Sequence, residues 1–227
     1  MNFEYPGREH LPRLTELWKE AFGEHDGFWE LFLDTGYQPD HCRCITEDGH
    51  PIAGLYWFDC SCGGDKIAYI YAVVTDSAHR GRGLGRKLME DVHSLLKETG
   101  YAGAMLVPAD EGLREMYRKM GYETCTRVSV LSCNAADDAA EIRNVSPEEF
   151  MALRRKLLPE KAVLQEGIQM PFLAAQAQLF AGTDFLLAAW REESTLHGME
   201  LLGNADAAPG ILRALGCERG TFQIPGG

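Results

Sequence analysis

No stretch of this chain approaches the roughly 20 consecutive apolar residues that a membrane-spanning helix needs. Its opening, Met1-Asn-Phe-Glu-Tyr-Pro-Gly-Arg8, lacks the cationic and then apolar build of a secretory signal. The chain therefore reads as cytoplasmic, with no membrane partner. Positive charge is also scarce: 22 Lys and Arg stand against 34 Asp and Glu, for a formal net charge of −12. Binding to a phosphodiester backbone rests on clustered positive charge, so nucleic acid is excluded as a main partner. The C-x-x-C knuckles that structural zinc sites prefer are missing. The seven cysteines (Cys42, Cys44, Cys60, Cys62, Cys125, Cys133, Cys217) include two C-x-C pairs instead. Residues i and i+2 of a strand share a face, so these pairs read as strand residues and free thiols. Folding a hairpin about Asp48-Gly49 sets Cys42 and Cys44 opposite Leu55 and Ala53, away from the other pair. The seven histidines show no ligand spacing, and no metal is expected.

Two phosphate-binding motifs are absent as well. No Walker loop, with four residues between its glycines and then Gly-Lys-Ser/Thr, occurs. No G-x-G-x-x-G opens a first βαβ unit. What is present is Tyr71-Ala-Val-Val-Thr-Asp-Ser-Ala-His-Arg-Gly-Arg-Gly-Leu-Gly-Arg86. An apolar strand runs into a turn with Gly81, Gly83 and Gly85, and the turn opens an amphipathic helix. Backbone N–H groups can close around an anion where no Cβ intervenes. The helix dipole points its positive end at the same place. Arg80, Arg82 and Arg86 add charge that pairs with phosphate, and His79 lies within the same turn.

The periodicity predicts a helix over residues 83–99, with Leu84, Leu88, Val92, Leu95 and Leu96 on one face and Gly100 ending it. A short strand over 102–107 follows. Then come the loop Pro108-Ala-Asp-Glu-Gly112, a helix over 113–120 and an alternating strand over 122–130. The spacing R-x-x-G-x-G (Arg80, Gly83, Gly85), followed by Tyr117-x-x-x-Gly121-Tyr122 at the end of the second helix, resembles the GCN5-related N-acetyltransferase (GNAT) family.

That resemblance covers about residues 1–130. It implies an α/β fold with a mixed central sheet flanked by helices, and an enzyme that moves an acetyl group from acetyl-CoA to an amine. It implies that Val73, Val74 and Thr75 hold the acetyl and pantetheine groups through their backbone. Arg80, Gly81, Arg82, Gly83, Leu84, Gly85 and Arg86 would hold the pyrophosphate, and Tyr117 would act as general acid. The chain departs from the family where some members carry a glutamate base: by register that position is Tyr69, with Tyr71 on the same face. Asp110 stands where an asparagine is common. Water held by Asp59, Glu30 or the Tyr71 hydroxyl is the expected route for the amine proton. The acceptor is expected to be a small-molecule primary amine. A non-catalytic module that binds acyl-CoA is the alternative, and a homodimer is left open.

At 227 residues the chain exceeds one small domain. Helices are expected over 8–22 and from near Asp26, the second carrying Phe28, Trp29, Leu31, Phe32 and Leu33. Strands are expected over 42–46, 52–60 and 66–75. The polar stretch 134–140 separates an acetyltransferase domain, 1–133, from an appendage, 141–227, without a cofactor motif. In the appendage, helices are expected over 147–158 and 171–180, and strands over 184–191 and 196–202. Identities at an offset of 95 (Gly103 with Gly198, Arg118 with Arg213, Gly121 with Gly216) suggest a partial copy of the second half of the first domain, in which Leu212 replaces Tyr117.

Overall fold

The unbroken apolar run near residue 55 becomes the centre of a sheet covered on both faces. The computed structural model describes residues 1–23, 27–159, 162–165 and 167–226. They form two units: Met1–Glu123 with Gln165–Gln169, and Thr124–Leu164 with Met170–Gly227. In the first unit, strands β1 (Asn2–Glu4), β2 (Cys42–Glu47), β3 (His50–Cys62), β4 (Asp65–Thr75) and β5 (Gly103–Leu106) pair in that order. All these neighbours are antiparallel except β4 and β5, which are parallel. A parallel pair needs a crossover, and here it is α3 (Leu84–Glu98). Helices α1 (Leu11–Phe22) and α2 (Phe28–Thr35) precede β2, and α4 (Glu111–Arg118) follows β5. The expected start near Asp26 lies outside the described residues.

Alternation along β3 divides the core. Ala53, Leu55 and Trp57 pack with Leu84, Leu88, Met89 and Val92 of α3. Tyr56 and Phe58 meet Trp18 of α1 and Phe32 of α2 on the other face. Gly54 lets α1 approach closely, since a Cβ there would lie 3.0 Å from Leu14 Cδ2. The hairpin turns at Asp48 (φ 51°) and Gly49 (φ 80°), the positive pair a two-residue turn requires. A β-bulge between Ile45 and Thr46 then sets Cys42 opposite Tyr56 and Cys44 opposite Gly54. This corrects the expected partners, Leu55 and Ala53, by the one residue the bulge absorbs.

The second unit holds β6 (Val128–Asn134), β7 (Arg143–Asn144), α5 (Pro147–Leu157), β8 (Val163–Gln165), α6 (Gln169–Gln176), β9 (Gln178–Ala181), β10 (Phe185–Glu192), β11 (Thr195–Gly203), α7 (Ala208–Ala214) and β12 (Arg219–Pro225). β8 and α6 each have one end residue, Gln165 and Gln169, in the first unit. The second sheet runs β6-β12-β11-β10-β9-β7. α7 covers one face, on Leu187, Leu196 and Phe222, and α5 the other, on Leu186, Ala188 and Leu202. The strand expected over 122–130 begins only at Val128 and pairs with β12, so the units divide at Glu123 and Thr124 rather than within 134–140. The helix expected over 171–180 stops at Gln176, because Gln178–Ala181 is recruited as a strand alongside β10.

The internal echo has a different register from the one the identities suggest. In the first unit Asp76 N–H donates to Ile52 O (2.9 Å), and Ala102 N–H to Lys66 O (2.8 Å). In the second, Asn204 N–H donates to Asp184 O (2.9 Å), and Glu218 N–H to Ser194 O (2.8 Å). The ladder of each central hairpin skips one residue at the same place, Tyr71 in β4 and Met199 in β11. Tyr101 N–H to Leu96 O is matched by Cys217 N–H to Leu212 O. Thus β11 takes the part of β4, α7 that of α3 and β12 that of β5, and Leu212 corresponds to Leu96 rather than to Tyr117.

Candidate functional site

The turn between β4 and α3 is built to expose backbone N–H groups. Asp76 ends β4, and its Oδ1 accepts from Ala78 N–H (2.9 Å), starting a single 3₁₀ turn over Ser77–His79. Gly81 (φ 76°) and Gly83 (φ 71°) then take the left-handed conformation that reverses the chain into α3. A Cβ added at either would meet nothing within 4 Å. Gly83 is the N-cap of α3 and supplies no side-chain cap, and the first turn of α3 carries no acidic residue. The leading N–H groups of a 15-residue helix are therefore left to an external acceptor.

A polar network fixes this turn. Asp76 Oδ2 accepts from Arg13 of α1 (2.6 Å) and lies 3.2 Å from His79 Nδ1. Burial pushes the Asp76 carboxyl up, but the Ala78 N–H and the Arg13 guanidinium outweigh it and hold the group below the usual carboxylate range. His79 Nε2 lies 3.4 Å from Glu47 Oε2, so both ring nitrogens face carboxylates. Each arginine of the motif is held by an acid: Arg80 by Glu20 (3.3 Å), Arg82 by Glu47 (3.2 Å) and Arg86 by Glu90 (2.8 Å). Arg80 Nε also donates to Thr75 O (3.2 Å). Sequence reasoning missed Arg13, Glu20, Glu47 and Asp76. Asp76 carries a local signal, an Asp at a strand end two residues before the N–H it caps; the other three act across long separations and carry none.

Beside the turn, β4 loses its neighbour. β5 pairs with β4 only from Ile67 to Ile70, so among the described residues the edge from Tyr71 to Thr75 has no strand on that side. Backbone groups alternate along a strand. Asp76 N–H points to β3 and Thr75 O points away, to Arg80, so Val73 and Thr75 turn their N–H groups to the open edge. Val74 does not: its backbone faces β3 opposite Gly54, and its side chain is buried on the α1 face. A run of three successive backbone ligands overlooks this alternation.

Tyr117 lies in α4, capped by Asp110, whose Oδ1 accepts from Leu113 N–H (2.8 Å). It belongs to the same cluster as Leu84 and Leu88, with Val73 at its border. Its ring meets Tyr122 at 5.7 Å, and its hydroxyl has no hydrogen-bond partner among the described residues. Burial pushes the phenol up, so it keeps its proton at neutral pH. The structure thus sets the turn beside the open β4 edge and puts Tyr117 in the core cluster that Leu84 belongs to and Val73 packs against.

The three expected water-holding groups fare differently. Asp59 belongs to another cluster, with Lys66 Nζ at 3.1 Å, His41 Nε2 at 3.2 Å and a hydrogen bond from Tyr101. Burial pushes Asp59 up, but the Tyr101 and Lys66 contacts prevail and hold it low. Asp59 pairs with Ala68, well down β4 from Val73, so it is removed from the candidate bases. Tyr71 stands at the bulge within rings of Trp18, Phe32, Phe58 and Tyr69, and burial pushes its phenol up. Glu30 is exposed on α2. No group of three His, Cys, Asp or Glu among the described residues has the arrangement of a metal site. No helix among them is long and apolar enough to cross a membrane.

Comparison with known proteins agrees with this fold. A model of the acetyltransferase (GNAT) family matches residues 11–122. A rice protein (Oryza sativa subsp. japonica) named "Probable glucosamine 6-phosphate N-acetyltransferase 2" is 38% identical over 60 residues, which are 26% of this chain and 36% of that protein. A GCN5-related N-acetyltransferase from Kribbella flavida shares the fold with a TM-score of 0.73 at 16% identity, over 98% of this chain and 64% of that one. A protein of Enterococcus faecalis V583, described as a probable N-acyltransferase, gives 0.76 at 15% identity, over 99% and 65%. The chain thus spans just under two thirds of these solved chains.

Proposed function

We propose, on the premise that this chain belongs over residues 11–122 to the acetyltransferase (GNAT) family, that it transfers an acetyl group from acetyl-CoA directly to a primary amine of a small molecule. The observation that carries the reading is the uncapped start of α3 behind two left-handed glycines, set beside the unpaired edge of β4. The residues fit the donor: a diphosphate needs N–H groups that no side chain obstructs, and no Cβ fills that cradle.

Acetyl-CoA supplies an acyl group activated as a thioester. The N–H groups of the turn and of Leu84, Gly85 and Arg86 would hold the pyrophosphate, with Arg80 and Arg82 neutralising it. Thr75 would bind along the amide arm. Val73 would place its N–H at the carbonyl oxygen, which gains negative charge as the amine nitrogen bonds to carbon. As the carbon–sulfur bond breaks, Tyr117 would give its proton to the sulfur. The amine would lose its own proton to water, for which Tyr71 and Glu30 are the two candidate holders left once Asp59 is removed. The enzyme acts in the cytoplasm on this reading.

Thermal unfolding with and without acetyl-CoA tests the reading, beside thiol release from a panel of amines that includes amino sugars. Ligand at 100 times its Kd adds about 2.7 kcal/mol, which for a chain of this size raises Tm by roughly 5–10 °C. A shift with thiol release on one amine is the expected result. No shift and no release would remove the donor site and the proposal with it.

A further inference from the structure

In a positively charged turn, the carboxylates are the unexpected element. Glu20 Oε1, on α1, accepts both from Ser77 N–H (3.1 Å) and from Arg80 Nη2 (3.3 Å). A backbone N–H and a guanidinium are the pair of donors a phosphate oxygen would take from this turn. Glu47, at the end of β2, accepts from Arg82 Nη2 (3.2 Å) and lies against His79. The two acids come from separate elements, 60 and 35 residues from the arginines they hold. All four side chains remain partly open to solvent, so an incoming anion can reach them.

We propose that Glu20 and Glu47 are built-in competitors for the donor's phosphates: they hold Arg80 and Arg82 by the contacts a diphosphate would make, and binding exchanges ligand oxygen for carboxylate oxygen. The inference rests on the donor site proposed above. Its consequence is selectivity. An anion that satisfies one arginine displaces one acid and leaves the other in place. A diphosphate spanning both displaces both at once, so the acids raise the threshold against single anions. Exposed ion pairs of this kind are individually weak, so each acid acts as a modest brake.

The test is the dissociation constant of acetyl-CoA, by titration calorimetry, for the full chain and for Glu20→Gln, Glu47→Gln and the double variant. Glutamine keeps the shape and removes the charge. Each single variant should bind about two- to fivefold more tightly, and the double variant by about the product. Glu149→Gln frees Arg143 in the second unit and makes the same change in net charge; it should leave the affinity unchanged. Tightening is a readout that loss of a merely structural contact does not produce. Parent and variants binding with equal affinity, or the variants more weakly, would overturn the inference while the donor site stands. Equal tightening in Glu149→Gln would also overturn it, reducing the effect to net charge. If neither parent nor variants bind acetyl-CoA, the donor site itself falls and the inference with it.

Discussion

The two units make the same passage from strand to helix and end it differently. In the first, Asp76 leaves β4, bonds back to Ile52 and caps Ala78; in the second, Asn204 leaves β11, bonds back to Asp184 and caps Asp206. From there the first unit inserts Arg80-Gly-Arg-Gly83 before α3, whereas the second enters α7 directly, with a proline in the first turn and Asp206 just before it. The start of α3 is open. That of α7 is covered by its own chain: Ala136 N–H donates to Pro209 O and Ala140 N–H to Gly210 O, and a Cβ at Gly210 would lie 3.1 Å from Ala140 N. One strand–helix frame thus leaves its helix start open or closes it into a core, according to four inserted residues and what covers that start.

Gly83→Asp should erase that difference most completely. It places an acid at the start of α3, where α7 already follows one, and sets a carboxylate against the donor's phosphates. Asp tolerates positive φ better than most residues, so the fold should survive. Acetyl-CoA should no longer raise Tm, and kcat/KM should fall by at least on the order of 100-fold. A variant that still binds donor normally would mean the helix start is not the seat.

Tyr117→Phe probes an element, α4, that has no counterpart among the described residues of the second unit. The hydroxyl has no partner among the described residues, so stability should change by less than about 0.5 kcal/mol. If the phenol protonates the sulfur, kcat should drop by about 100-fold with KM little changed. Unchanged kcat would return Tyr117 to the role of a packing residue.

Two glycine-to-alanine changes should move in opposite directions. At Gly85 a Cβ has room, the nearest atom being Thr75 Oγ1 at 3.9 Å. Helix propensity should then add up to about 1 kcal/mol of stability. The methyl would stand where the diphosphate approaches the Gly85 N–H, and weakening that charge-assisted contact should cost roughly tenfold in donor affinity. At Gly210 the added methyl crowds Ala140, which should lower stability by about 1–2 kcal/mol and leave donor affinity alone. Denaturant unfolding beside calorimetry separates the two; parallel behaviour would mean the two helix starts are not distinguished by what covers them.

Much of the first unit was legible because its signals are local. The glycines of the turn and the stripe of α3 lie within a few residues of what they determine. The register of Cys42 was misread because a bulge leaves no mark on residue type. Val74 was grouped with Val73 and Thr75 because carry-over by resemblance ignores which way each amide points. The second unit was less legible because its elements depend on pairing. Gln178–Ala181 is a strand only because β10 lies beside it, and β6 joins β12 across some 90 residues of chain. The offset of 95 matched identical letters, whereas the repeat lies in hydrogen bonds that side chains do not record.

The smallest effect concerns pH and also divides the units. His93 of α3 contacts the Tyr122 hydroxyl through Nε2 (2.7 Å), bracing α3 to the end of the α4 segment. Burial pushes the imidazole pKa down, against an opposing pull from Glu90. A histidine held neutral by the fold binds its proton more readily once unfolded, so its contribution is complete above the unfolded value, about 6.5, and is lost as pH falls below it. The first unit should therefore be less stable at pH 5.5 than at pH 7.5. α7 carries no histidine, so hydrogen exchange should accelerate in α3 and not in α7 over that range. His93→Gln keeps a partner for Tyr122 and removes the titration, so its α3 exchange should lose that pH dependence. An unaltered slope in the variant would rule His93 out as its source; Asp76 cannot take its place, since its depressed carboxyl loses its contribution only as pH falls below about 4.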